Sequence, residues 1–178
     1  ATSPVTKVAT PSGTTVLRPT AFSAESGSDH DLQTDGSVLL TGEATDKDTY
    51  TFEAELPATE IKAVMIEALT SDALPGTGPG RGAAERPNFV LDQFDATLST
   101  NGKAMPLKFS EAHASFVQNG FDPNSLIGKG TGKGWAIMPQ FHKPHWAAFV
   151  LEQPLNPAPG AKLTLRLQQN YGGRRTIG

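Results

Sequence analysis

The sequence predicts an all-β fold, a β-sandwich or barrel of antiparallel strands, and three observations lead there. Glycine and proline number 18 and 14 of 178 residues, above average usage, and both punctuate a chain with turns rather than extend helices. About nine short runs alternate apolar and polar residues or are continuously apolar, each bounded by turn residues. The cleanest is Ala161–Gln169, where Leu163, Leu165 and Leu167 share one face while Thr164, Arg166 and Gln168 share the other. The length suits a single domain with a core of its own.

The elements follow in chain order. Residues 1–13, rich in Ser, Thr and Pro, read as a linker or leader, and residues 14–178 as one module. Thr14–Pro19 is a short β-prone run ended by proline. Ser23–Gly36 is polar and reads as a turn region, closed by the tight-turn pair Asp35-Gly36 before a strand over Ser37–Thr41. Thr49–Leu56 alternates with period two, placing Tyr50, Phe52, Ala54 and Leu56 on the inner face. Glu60–Leu69 suits either a helix or a strand; its strand-rich context favours a strand, buried on both faces. Ser71–Pro87 is too dense in Gly and Pro for regular structure and predicts a long, functional loop. Asn88–Ser99 predicts a strand whose alternation shifts near Asp92, as at a bulge. Asn101-Gly102 turns the chain into Lys103–Phe109, where Pro106 marks an edge strand. Ser110–Ser115 suits a short strand or a turn, and Val117–Gly134 a glycine-rich loop. Trp135–Met138 is a short strand. His145–Glu152, nearly all apolar, is a central one.

Composition and motifs exclude several function classes. The net charge of -3, with charged residues at 19% and no basic face, argues against nucleic acid. No apolar run approaches the ~18 residues of a membrane span. The absence of cysteine removes disulfides, thiolate metal sites, cysteine nucleophiles and covalently attached haem. Gly128-Lys129-Gly130-Thr131-Gly132-Lys133-Gly134 lacks the Ser or Thr that follows lysine in a phosphate loop and precedes a strand, so no nucleotide is expected. No nucleophile-elbow motif is present, and no paired carboxylates fall in a telling motif. Glu25, Asp46 and Asp48 lie in polar turns and are the candidate ligands for a structural calcium ion.

Aromatic and polar loop residues carry the remaining signal. Sugar faces pack on exposed rings, and sugar hydroxyls pair with flanking polar groups. Tyr171, in the glycine-rich turn Tyr171-Gly172-Gly173-Arg174-Arg175, fits an exposed ring, with Arg81, Asn88, His142, His145 and Arg174 as polar partners. Trp135 and Trp146 lie within apolar runs and are expected in the core.

Several stretches together resemble a known family. They are Asp35-Gly36-Ser37-Val38-Leu39, Asp48-Thr49-Tyr50-Thr51, Leu74-Pro75-Gly76-Thr77-Gly78-Pro79-Gly80-Arg81 with Asn88-Phe89-Val90-Leu91, Gly134-Trp135-Ala136-Ile137, and Leu165 through Gly173 to Gly178. Over residues 14–178 the chain resembles the jelly-roll module of large exported planctomycete proteins that also carry cytochrome-c-like and planctomycete-specific domains. The resemblance implies a galactose-binding-domain-like (discoidin-like) antiparallel jelly roll, non-catalytic, exported to the periplasm or beyond, binding a poly- or oligosaccharide and neighbouring domains of its parent. In that family the chain continues past the glycine matching Gly178 into a further strand. A module that packs between domains without a ligand of its own is the alternative expectation, with the Gly76–Gly82 loop closely packed and Arg81 holding carbonyls.

Overall fold

The computed structural model describes residues 11–178 and is all-β among them. Twelve strands follow in order: β1 (Ala21–Ala24), β2 (His30–Leu32), β3 (Val38–Leu40), β4 (Asp48–Glu55), β5 (Ile61–Ala68), β6 (Val90–Leu91), β7 (Gln93–Thr100), β8 (Lys103–Pro106), β9 (Phe109–Ala114), β10 (Trp135–Ala136), β11 (His145–Leu155) and β12 (Lys162–Gln169). Two single turns of 3-10 helix lie at Pro75–Thr77 and Pro123–Ile127. Most of the linker predicted over 1–13 lies outside the described residues.

All strand pairs are antiparallel. One sheet has the order β1-β4-β12-β7-β8 and a second the order β5-β11-β9; β10-β6 and β2-β3 form two-stranded ribbons, and no sheet closes into a barrel. The two strands with the strongest apolar patterns take the central positions, β12 in the large sheet and β11 in the small one. The sheets meet through aromatic side chains. Phe94 of β7 stacks on Phe149 of β11 with ring centroids 4.1 Å apart and also packs on Phe109 of β9, with centroids 5.5 Å apart. Each such ring removes enough apolar surface from water to stabilise the fold by roughly 1.5–3 kcal/mol. Trp135 lies in this core as expected, fully buried, edge-to-face with Phe89, its indole N–H donating to the Phe116 carbonyl.

Local chemistry explains the turns and edges. The Asp35 carboxylate accepts from the Ser37 hydroxyl and amide, closing the β2–β3 turn. The hydroxyl bond, then the amide bond, holds the Asp35 pKa below its ordinary 3.8. Asn101-Gly102 forms the β7–β8 hairpin turn with both residues at positive φ. Pro106 lies on β8, the edge strand it predicts. The outer edge of β9 is blunted by one side chain: the Asn124 amide accepts from the Ala112 N–H and donates to its carbonyl, standing where a neighbouring strand would pair.

Four expectations are corrected. Thr14–Pro19 forms no strand, and Val16 stays 67% exposed. The strand forms instead at β1, running into the predicted turn region at Ser23 and Ala24, because Phe22 packs against Phe52 and Tyr50 along the β4 edge. The same polar stretch holds β2, a short exposed strand with no apolar periodicity to betray it. β5 buries one face, not two: Val64, Ile66 and Ala68 point inward while Lys62, Ala63 and Glu67 are exposed. The predicted break at Asp92 is present, where the chain leaves β6 and enters β7.

Two glycines permit backbone contacts that no side chain would. A Cβ on Gly80 would stand inside van der Waals distance of the Asn88 carbonyl, and one on Gly134 inside that of the Leu91 carbonyl. Gly134 thereby lets β10 close on β6. Gly134→Ala is expected to cost more than about 3 kcal/mol or to prevent folding, because backbone must shift. Gly102→Ala, at φ +76 with open space around it, should cost only the left-handed backbone strain of about 1–2 kcal/mol. Urea unfolding of the two variants measures the difference.

Candidate functional site

The glycine-proline loop of residues 71–87 is fastened to the C-terminal segment. Gly80 pairs with Ile177, and the Arg81 amide donates to the Thr176 carbonyl at 3.0 Å. The Arg81 side chain is turned inward and only 3% exposed. Its Nη2 donates to the carbonyls of Thr41, Gly42 and Glu43 at 3.1, 3.4 and 3.2 Å, shaping the turn that leaves β3. Its Nη1 is buried with no partner among the described residues, as are Thr176 Oγ1 and Gln169 Nε2 nearby in the fold. The three ion pairs among the described residues do not include Arg81. Its charge is therefore met by backbone dipoles rather than by a carboxylate. Tyr50 lies against the same group, donating to the Ile177 carbonyl at 2.8 Å, and burial pushes its phenol above the ordinary 10.0.

A cleft of about 460 Å³ opens between these segments, walled by Thr41, Glu43, Leu74, Pro75, Arg81 and Arg174. Arg174 is exposed and reaches it from the turn after β12, held at φ +58. The same turn carries Tyr171, 48% exposed, with the Arg175 guanidinium 5.2 Å from its ring centroid and Phe121 at its edge. Asp46 fixes the turn by accepting from the Gly173 N–H at 2.7 Å. A second, shallower cleft of about 470 Å³ is lined by Phe22, Ser28, Asp29, His30, Asp31 and Thr41. There the exposed His30 ring stands edge-on to Phe22 at 4.6 Å.

The six predicted ligand residues divide. Arg81 and Arg174 wall one cleft, and Tyr171 shares the turn that supplies Arg174. Two others are corrected to structural roles. Asn88 is buried, its Nδ2 donating to Gln118 Oε1 at 3.0 Å and its Oδ1 accepting from the Ile137 amide at 3.1 Å. His145 is 3% exposed. Its Nε2–H donates to the Gln140 carbonyl at 2.6 Å and its Nδ1 accepts from the Ser115 hydroxyl at 3.0 Å. Both sit beside apolar strands, and there a polar side chain is retained for the backbone groups it satisfies. His142 is exposed but stands apart from the cleft walls, its Nδ1–H bonded to the Gly76 carbonyl, tying two loops together.

The three predicted metal ligands are each engaged elsewhere. Glu25 faces Arg166 at 3.8 Å, and Asp46 holds the Gly173 amide. Asp48 is buried and accepts from Ser26 and from the Thr49 amide. Among the described residues no group of three or more His, Asp or Glu side chains is arranged to hold a metal ion.

Comparison with family models, with curated proteins and with solved structures finds no match to this chain.

The cleft walls include residues that carried no signal of their own in the sequence. Thr41 and Glu43 follow β3, and Asp29 directly precedes the exposed strand β2, which begins with His30 and Asp31. Leu74 and Pro75 belong to the loop singled out by its Gly and Pro density.

Two outcomes follow for the corrected residues. Asn88→Ala leaves the Ile137 amide without its acceptor and Gln118 Oε1 with the Met138 amide alone, and should lower unfolding stability by about 2–3 kcal/mol in urea titration. Burial, opposed by the Gln140 bond and assisted by Lys143, lowers the His145 pKa below its ordinary 6.5. The unfolded chain then takes up the proton more readily than the folded one. The stabilisation is complete above 6.5 and is lost as pH falls below it toward the folded value. The thermal midpoint should drop as pH falls below 6.5, and His145→Gln should flatten that drop.

Proposed function

We propose that this chain is a non-catalytic, carbohydrate-binding-like module, a β-sandwich of jelly-roll type belonging to a larger exported protein, as its resemblance to the planctomycete modules implies. The observation that carries the reading is one turn that supplies both an exposed ring, Tyr171, and a cation, Arg174, which walls the 460 Å³ cleft beside Arg81. An aromatic face flanked by cationic and amide donors suits a sugar ring and its hydroxyls. A role as a packing module between domains is favoured by a different observation, the use of Arg81 to gather loop carbonyls and the close approach at Gly80.

Affinity electrophoresis separates the two. Gels containing plant or algal polysaccharides, with and without added calcium, are expected to retard the protein in at least one case. Tyr171→Ala and Arg174→Ala should each weaken that retardation by roughly tenfold, the loss of one stacking or charged contact. Unretarded migration in every gel overturns the binding reading in favour of the packing one.

A further inference from the structure

The two clefts share one wall residue. Thr41, the residue just beyond β3, walls both, its backbone amide donating to the Asp29 carbonyl on one side and its carbonyl accepting from Arg81 on the other. The chemistry of the two compartments differs. The first offers Phe22 and His30 as ring surfaces with Ser28, Asp29 and Asp31 around them: apolar faces beside hydroxyl and carboxylate acceptors, which suit the C–H faces and hydroxyl donors of uncharged sugar units. Its carboxylates disfavour an anion. The second offers two arginines against one carboxylate, Glu43. One of those arginines, Arg81, is 97% shielded from solvent by its 3% exposure, carries an unpartnered Nη1, and has no carboxylate in ion-pair contact among the described residues. A buried cation met by carbonyl dipoles, with the Tyr50 hydroxyl beside it, adds positive potential to the cavity it walls. Arg174 supplies the accessible fork that can hold a carboxylate or sulfate with two parallel bonds.

Resting on the carbohydrate-binding reading, we infer that the two clefts form one extended site crossing Thr41, which takes the interior of an acidic glycan: an uncharged sugar unit against Phe22 and His30, and a carboxylate- or sulfate-bearing unit against Arg174. Each compartment alone falls within the volume range of a small-ligand pocket, so a ligand confined to one of them forgoes the contacts of the other. A chain that reaches both gains the second set at high effective concentration.

The experiment uses the whole chain and isothermal titration with a ladder of acidic oligosaccharides in which uronate and neutral units alternate, from disaccharide to decasaccharide, and the same ladder after carboxyl reduction. Affinity is expected to rise by roughly tenfold or more along the acidic ladder and then level off. The reduced ladder should bind more weakly at every length. His30→Ala, an exposed position whose loss does not disturb the core, should bring the longest oligomer toward the affinity of the disaccharide, and Arg174→Ala should erase the difference between acidic and reduced ladders. Equal affinity at all lengths, no effect of His30→Ala, or equal binding of the two ladders overturns the extended acidic site while glycan binding stands. Failure of every saccharide, in titration and in the polysaccharide gels alike, overturns the carbohydrate reading beneath it.

Discussion

The guanidinium of Arg81 sets the geometry on which the candidate site depends. Three parts of the chain that are remote in sequence converge on this one residue: the turn after β3 through its carbonyls, the glycine-proline loop that carries Arg81, and the C-terminal segment through the Thr176 carbonyl, which accepts from the Arg81 amide. Hydrogen bonds to a charged donor are worth about 1.5–3 kcal/mol each, and more is at stake when the acceptors are otherwise dry. Removing water from a guanidinium is costly unless its donors are met. The carbonyls of Thr41 to Glu43 meet those of Nη2, and in doing so they fix the wall that the two clefts share. The shape of the candidate site and the stability of this part of the fold are therefore consequences of the same contact.

The sheets beneath supply the rigidity that contact needs. β12 and β11, the centres of the two main sheets, carry leucines, alanines and Phe149 inward, and the stacked Phe94–Phe149 pair locks one sheet against the other. Edges are managed separately, by Asn124 along β9 and by Pro106 at the end of β8. With the frame held in this way, loops can be long and rich in glycine without becoming loose. Close approaches at Gly80 and Gly134 press them onto backbone rather than onto side chains.

Legibility in the sequence followed the physics of each element. Strands with one buried face announced themselves: β4, β7, β11 and β12 all lie where alternation or a continuous apolar run placed them. β1 and β2 did not, because their residues are mostly polar and their pairing depends on a partner edge and on Phe22 finding Phe52 and Tyr50. The site was legible by residue type but not by role. Tyr171 and Arg174, in a glycine-rich turn, are exposed as such turns require. Asn88 and His145 had the same donor and acceptor chemistry, yet they satisfy interior groups, Ile137 and Gln118 in one case, Ser115 and Gln140 in the other. A polar side chain next to a buried strand can serve a ligand or the backbone, and its identity is the same in both.

The linear order of residues was sufficient for the all-β class, the central strands, the Asn101-Gly102 hairpin and the irregular course of the Ser71–Pro87 loop, because local periodicity and turn chemistry operate over a few neighbouring residues. It was insufficient for the meeting of Thr41, Arg81 and Arg174 at one cleft, for the burial of Arg81 and His145, and for the dispersal of Glu25, Asp46 and Asp48 among separate contacts. Those outcomes rest on contacts between segments distant along the chain. Such contacts are settled by which sheet edges pair and which faces exclude water, and they come into being only when the sheets have packed.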